Sequence, residues 1–247
     1  MKLVGERRAL AAIVFAFYFL YFVLGAIQNG PPVSGMLYAL AGCYGLAFFA
    51  LVAGYFWARW YAVGVGLFGV IVAAVSVWQL RGGDPDEWAA LWPILAFFGG
   101  THALASTLLW GDSMAAPFDG KTEWREKLHM DDNAVQRLGR SVIRAGVGLP
   151  FVLMYAFVPK QDAGTAIAFV ALGLAAFGLR AVIRARTWGI LALGLAGSAM
   201  ITLACADAAM GAPMAWVLRP ALAGGLLFSA VAPWFGPLAR TFAMRRA

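Results

Sequence analysis

Eight apolar stretches, each about as long as a bilayer is thick, occupy most of this 247-residue chain. A helix needs roughly 20 apolar residues to cross the hydrocarbon core of a membrane. Hydrophobic residues make up 62% of the chain and charged residues 13%, whereas soluble domains carry about 25% charged residues. The sequence therefore predicts an all-α, polytopic membrane helix bundle with eight transmembrane helices. The predicted spans are residues 9–27, 36–58, 60–80, 89–110, 142–158, 164–183, 188–206 and 220–238.

The fifth span differs from the others because it carries Arg144 near its start and Pro150 in its interior. A proline removes a backbone hydrogen bond that lipid cannot replace. We therefore expect a short or kinked helix at this point of the chain.

The distribution of basic residues predicts the orientation of the chain. With a cytoplasmic N-terminus and eight crossings, 16 of the 19 basic residues fall on the cytoplasmic side, as the positive-inside rule requires. Both termini are then cytoplasmic, and one helix more or fewer would scramble this separation. The cytoplasmic set is Lys2, Arg7, Arg8, Arg59, Lys121, Arg125, Lys127, Arg137, Arg140, Arg144, Arg180, Arg184, Arg186, Arg240, Arg245 and Arg246. The outer set is Arg81, Lys160 and Arg219.

The net charge of +7 follows from the same bias, so it does not indicate binding to nucleic acid. Such binding would need a basic surface on a folded soluble unit. The predicted partners are the lipid bilayer and its anionic headgroups, and a homodimer or a larger membrane complex is compatible with the sequence. The alanine- and glycine-rich composition is associated with bacterial sources, which favours the bacterial cytoplasmic (inner) membrane.

A shift of the chain by 128 residues aligns ten identical residues within a 25-residue window, among them Trp60 with Trp188 and Gly66 with Gly194. This match predicts a tandem repeat of four helices, whose two copies have the same orientation because the unit is even-numbered. The alternative is a chance match, since alanine, glycine and leucine are abundant in both segments. The predicted domains are a first four-helix half at residues 1–110, a cytoplasmic linker with an amphipathic helix at 111–141, and a second four-helix half at 142–247.

The linker contains a pattern typical of an amphipathic helix, with Asp131 or Asp132 as its N-cap. Val135, Leu138 and Val142 share one face at helical spacing. The opposite face carries Arg137, Arg140 and Arg144. One interpretation is a helix in the membrane interface that contacts anionic headgroups before the chain turns into the fifth span. The other is a solvated linker helix whose charges only enforce topology.

A second basic pair, Arg180 and Arg184, lies one turn apart at the cytoplasmic end of the sixth span. Cations at this end suit the helix dipole and reach the headgroup level. The pair is a candidate contact for lipid headgroups or another phosphate, and the alternative is a role in topology alone.

His102 is the strongest candidate for function inside the membrane, because buried polar groups are costly unless they are paired or in use. It lies near the middle of the fourth span, with Thr101 beside it and Ser106 one turn on. The functional hypothesis is a polar substrate path or proton transfer at His102. The structural alternative is a neutral histidine bonded to Ser106 or to a backbone carbonyl.

Asp207 lies near the outer end of the seventh span, and the repeat pairs it with Gln79 at the end of the third. Two polar groups at symmetry-related positions would frame an outward-facing vestibule. In the alternative interpretation each residue only marks the point where its helix leaves the membrane, or Asp207 pairs with Arg219.

The sequence contains little that predicts enzymatic or cofactor chemistry. Its two histidines, His102 and His129, exclude a ladder of bis-histidine haems and an HExxH zinc site. Its two cysteines, Cys43 and Cys205, are either separate thiols or one bridge. The glycines of a G-x-G-x-x-G pattern at residues 64–69 lie inside an apolar span, where close helix packing explains them better than a dinucleotide site. We predict neither a metal nor a cofactor.

Three functions remain compatible with the sequence. The first is a small permease or channel with a path near His102 for an unidentified solute. The second is a non-catalytic accessory or assembly subunit of a larger membrane complex, and the third is a membrane-embedded enzyme acting on a lipid or isoprenoid. A hydrated cavity that reaches His102 between the halves would favour the first, and a dry centre would favour the second.

Overall fold

The computed structural model of the protein describes residues 2–81, 83–115, 118, 124–128, 130–160 and 162–237. These residues contain eight helices that are long and apolar enough to cross a membrane. The chain is therefore an integral, multi-pass membrane protein. The eight helices are α1 (Lys2–Gln28), α2 (Val33–Ala53), α3 (Ala58–Leu80), α4 (Pro85–Leu108), α5 (Asp132–Phe157), α6 (Asp162–Ile183), α7 (Trp188–Ala209) and α8 (Met214–Val231).

Each predicted span overlaps one of these helices, and the largest difference is in α5. Asp131 caps it, since its side-chain oxygen accepts a 2.6 Å hydrogen bond from the backbone N–H of Ala134. The helix then continues for 26 residues through Pro150. The expected short fifth span is therefore wrong, and so is the expected turn between a linker helix and that span. The apolar face of the linker pattern simply extends the buried face of α5, whose residues Val135, Leu138 and Val142 are all buried.

The last span continues to Pro237, close to its predicted end, but its helix type changes on the way. Helix α8 ends at Val231, and a 3-10 turn (Ala232–Trp234) that contains Pro233 follows it. A proline has no N–H to continue the helical hydrogen bonds. Some residues used in the predictions lie outside the described part of the chain, namely Lys121, His129, Leu238, Arg240, Arg245 and Arg246.

The eight helices pack as two rings of four. In the first ring, α1 to α4, each helix contacts the next and α4 also contacts α1. In the second ring, α5 to α8, each helix again contacts the next and α8 contacts α5. The rings meet where α5 packs along α3 and touches α2. Helix α5 therefore contacts four other helices, and it is the most buried of the eight.

The seam between the rings is tight at its middle. A Cβ atom added at Gly64 of α3 would lie 2.5 Å from the carbonyl oxygen of Ile143 and 3.0 Å from the Cα of Gly146, both on α5. Next to this contact, the rings of Phe68 and Phe151 pack edge to face with 4.9 Å between centroids. Small residues allow such close backbone approach in lipid, where helices gain little hydrophobic energy by associating. The glycines of the G-x-G-x-x-G pattern therefore serve helix packing, as predicted.

Basic side chains gather at one end of the first ring, where α1 and α3 begin and α2 and α4 end. Arg7 donates hydrogen bonds to two carbonyls at the end of α4, and Arg8 donates to two at the end of α2. Arg59 donates to the carbonyl of Gly111, just beyond α4. The last carbonyls of a helix have no partner within it and carry partial negative charge. These arginines satisfy them directly.

Candidate functional site

His102 lies at the centre of the first ring and is fully buried. Its Nδ1 atom is 2.7 Å from the carbonyl oxygen of Phe98. A carbonyl can only accept, so Nδ1 carries the proton and Nε2 is left as an acceptor. The hydroxyl of Tyr44 donates to Nε2 across 2.6 Å. Both nitrogens of the imidazole therefore have partners, and one of them is a backbone carbonyl, as the structural alternative expected.

All four helices of the first ring enclose this imidazole. Tyr18 of α1 places its ring 4.3 Å from that of His102, and its hydroxyl is 2.7 Å from the Oγ1 atom of Thr101. Tyr44 belongs to α2. Gly69 of α3 is so close that an added Cβ would lie 2.1 Å from Cδ2 of His102. The side chains of Tyr18, Tyr44 and His102 therefore fill the centre of the first ring, and we call these three residues the plug.

Thr101 and Ser106 lie beside His102 as predicted, yet each has its own backbone partner. Thr101 donates to carbonyls of the preceding turn, and Ser106 faces the carbonyl of Val63 across 3.5 Å. Five well-formed cavities among the described residues have walls that do not include His102. Within the described residues, the space around His102 is filled by the side chains of Tyr18, Tyr44 and Phe98.

The second ring differs, because a cavity of about 460 Å³ opens at the end where α5 and α7 finish. Each of the four helices contributes to its wall, with Tyr155 from α5, Ile167 from α6, Leu203 from α7 and Trp216 from α8. Asp207 also lines this cavity, which we call the outer cavity because it lies at the end of the bundle opposite to Arg7 and Arg8. Because all four helices line it, the cavity lies on the axis of the second ring.

Three polar side chains meet in the outer cavity. Tyr155 donates a 2.8 Å hydrogen bond to the carboxylate of Asp207. The Lys160 ammonium lies 4.2 Å from the centroid of the Tyr155 ring and donates to the carbonyls of Tyr155 and Val158. Burial lowers the pKa of Lys160, while the nearby charge of Asp207 opposes this shift. The outer cavity thus has a small polar group in an otherwise apolar wall.

A second cavity, of about 330 Å³, lies at the opposite end of the same ring. Its wall includes Ala134 of α5, Val182 of α6, Ile190 of α7 and Trp234 after α8. Arg186 contributes a cation. The second ring therefore has a cavity at each end of its axis.

Between the two cavities the second ring is packed with residues that are 0% exposed, most of them small. On each helix these residues lie between the positions that line the two cavities. They are Ala145 and Val152, Ala171 and Ala175, Ala196 and Met200, and Ala223 and Leu227.

The predicted partners of Asp207 are placed elsewhere. Gln79 is exposed at the end of α3 in the first ring, and it is not part of the wall of the outer cavity. Arg219 lies over the ring of Trp216, 5.1 Å from its centroid. Asp207 is bonded by Tyr155, a residue that the sequence analysis overlooked. A phenol inside an apolar span was the available signal, and the same signal marks Tyr44.

The five basic candidates lie in four different places. Arg144 is half-buried and donates to the carbonyl of Ser229 on α8, so it ties two helices together. Arg140 lines a cavity at the basic end, between the rings. Arg180 and Arg184 are exposed and line a separate groove. Arg137 is half-buried on α5.

The remaining chemistry of the described residues is sparse. Cys43 is buried and Cys205 exposed, and both are free thiols. Among the described residues, no group of three or more histidine, cysteine, aspartate or glutamate side chains is placed to hold a metal ion. Comparison with known proteins identifies no family, since no family model, curated protein or solved structure matches this chain.

Proposed function

We propose that this protein is a small transport-type membrane protein whose solute path follows the axis of the second ring. The observation that carries this proposal is the pair of cavities at the two ends of that axis. A permease must expose a site to each side of the membrane in turn, and its sites lie where helices converge. The path therefore differs from the one expected near His102, where the first ring is closed.

The wall of the outer cavity indicates the class of solute. Ile167, Leu203 and Trp216 give it a largely apolar surface, and an apolar surface favours an apolar or amphipathic solute. Asp207 and Lys160 would bind a polar end group and fix its orientation.

The arrangement of the helices supports the proposed orientation and repeat. We propose that the basic end of the bundle faces the cytoplasm of a bacterial inner membrane, with both termini on that side. Arg7, Arg8 and Arg59 share this end. The identical order of neighbours in the two rings is compatible with a tandem repeat of two four-helix domains, one before the linker and one after it.

Flux into liposomes tests the proposal. The Met200→Ala substitution removes a large, fully buried side chain of α7 between the two cavities, so we expect it to increase the permeation of small amphipathic solutes severalfold. Leu40→Ala is the matched control, because it makes a similar truncation of a buried side chain in the first ring. We expect this control to leave flux unchanged. Equal flux in wild type, both variants and empty liposomes would contradict the proposal.

A second candidate function, a subunit of a larger membrane complex, is favoured by the closed packing around His102 and by one exposed surface. Ala96 and Gly100 are exposed four residues apart on α4, and small residues at this spacing let another helix approach closely. Purification in mild detergent tests it, with Gly100→Leu as the variant. Loss of a co-purifying chain, or of a homodimer, in this variant would favour the subunit. A monomer in both forms would count against it.

The enzymatic alternative has less support. Both nitrogens of His102 are engaged by Phe98 and Tyr44, so no ring atom faces a substrate. Asp207 remains as an acid in a cavity, and we propose that it binds rather than catalyses.

A further inference from the structure

A groove of about 580 Å³ lies on the seam between the two rings, toward the basic end of the bundle. Helices α2 and α3 form one wall, and α5 and α6 form the other. Its lining residues include Tyr55, Trp57, Leu149, Arg180 and Arg184. The groove is distinct from both cavities of the second ring, because none of its lining residues is shared with them.

The groove changes in chemistry along its depth. Each residue of a helix rises 1.5 Å, so Phe177 lies roughly 10 Å deeper in α6 than Arg184. The deep part is lined by Leu46, Leu149 and Phe177. The shallow part carries the two arginines together with Tyr55 and Trp57.

The shallow part suits a phosphate headgroup. Arg180 and Arg184 are one turn apart on the same face, and both are exposed. The described lining residues include no carboxylate to neutralise them. Tyr55 and Trp57 stack in parallel with 5.7 Å between centroids, and aromatic rings of this kind favour the headgroup level of a membrane.

We propose that this groove binds one anionic phospholipid, whose headgroup phosphate contacts Arg180 and Arg184 while one acyl chain lies along Leu46, Leu149 and Phe177. A guanidinium group binds phosphate through two parallel hydrogen bonds. The order of the groove, basic and aromatic at the headgroup level and apolar below, matches the order of groups in a phospholipid. Because α2, α3, α5 and α6 all contact it, the lipid joins the first ring to the second.

Native mass spectrometry of the full-length protein in detergent tests the site, with phosphatidylglycerol and phosphatidylcholine as the two probes. We expect one phosphatidylglycerol to bind more tightly than the rest, and more tightly than phosphatidylcholine. In the double variant Arg180→Gln/Arg184→Gln we expect the affinity for phosphatidylglycerol to fall about 30-fold. This factor corresponds to the loss of two surface contacts of about 1 kcal/mol each.

The matched control is Arg140→Gln/Arg186→Gln, which removes the same charge from the same end of the bundle. We expect it to leave the tight phosphatidylglycerol in place. Equal weakening by both double variants would mean general electrostatic attraction and would overturn the proposal. Displacement of the lipid by millimolar glycerol phosphate would also overturn it, because the site would then hold a free phosphate rather than a lipid.

Discussion

The two rings have the same order of helices, but their polar residues lie in different environments. In the first ring, His102 is fully buried and both of its nitrogens have partners. In the second ring, Asp207 lines an open cavity beside Tyr155 and Lys160. One ring is plugged at its centre, and the other is open at both ends.

This contrast separates two uses of polarity in a membrane protein. A polar group in hydrocarbon must be hydrogen-bonded, because an unpaired one costs several kcal/mol. At His102 the requirement is met entirely by Phe98 and Tyr44, so the cluster contributes to the stability and specificity of packing. At Asp207 the carboxylate keeps further acceptor positions toward the cavity, and these can meet a solute.

The largest expected effect comes from a larger residue at Gly69, which lies directly against His102. In Gly69→Ala the new methyl group would overlap the imidazole of His102, which cannot move because it is enclosed on all sides. We expect the free energy of unfolding to fall by about 3 kcal/mol. Gly194→Ala, at a site where an added Cβ meets no atom within 4 Å, should have almost no effect. Unfolding in mixed detergent micelles measures both, and a similar loss in the two variants would refute the close packing.

The hydrogen bond between Tyr44 and His102 gives the next largest effect. We expect Tyr44→Phe to destabilise the fold by about 1–2 kcal/mol and His102→Ala by about 3 kcal/mol. The double variant should cost less than the sum, because either single change already breaks the bond. Strictly additive losses would show that the bond contributes nothing. If His102 instead lies on the solute path, His102→Ala would abolish flux and leave stability intact.

For the second ring we expect Asp207→Asn to reduce flux more than stability. This substitution keeps the shape of the side chain and leaves an oxygen for the hydroxyl of Tyr155, so the loss of stability should be at most about 1 kcal/mol. Flux of an amphipathic solute should nevertheless fall severalfold, since the charge in the cavity is lost. A large loss of stability with normal flux would assign Asp207 the structural role that we give to His102.

The pH dependence of Lys160 gives a further test of the difference between the two rings. Burial lowers its pKa and the charge of Asp207 raises it, so Asp207→Asn should lower the pKa further. The folded chain binds this proton more weakly than the unfolded chain, and the contribution of Lys160 to folding therefore becomes more favourable as pH rises. Reaction of Lys160 with an amine reagent, followed by peptide mass spectrometry across pH, measures the shift. A midpoint that rises in the variant would contradict the coupling.

The smallest expected effect is at the end of α6. Ala185 has a φ of 55°, a left-handed conformation that glycine adopts without steric cost. We expect Ala185→Gly to stabilise the protein by about 1 kcal/mol. A thermal unfolding curve in detergent measures this gain, and a loss of stability would contradict the backbone assignment.

The sequence predicts the helices well because lipid imposes one simple condition on each span, namely enough apolar length. It predicts tertiary position poorly. Residues 142–158 carry Arg144 and Pro150 and were expected to form a short or kinked span, yet they belong to the most buried helix. Arg144 finds a carbonyl on α8, a partner 85 residues away that no local pattern reveals.

The candidate sites show the same limit. His102 was identified from its polarity and depth, but its role depends on Tyr44 and Gly69, which come from two other helices. Asp207 lines a cavity at a helix end, but Gln79, with which the repeat paired it, is not part of that wall. The phenol of Tyr155 was a visible signal, but its pairing with Asp207, 52 residues away in the chain, follows no local spacing.

Labelling of Met200→Cys tests the proposed path most directly, in a background with Cys43→Ala and Cys205→Ala. Met200 lies between the two cavities and is fully buried, so a small membrane-impermeant thiol reagent reaches it only if the second ring opens. We predict slow labelling at this position, complete labelling of Ala206→Cys in the outer cavity, and none of Ala47→Cys in the first ring. Complete labelling of Ala206→Cys with no reaction at Met200→Cys would contradict a path along this axis.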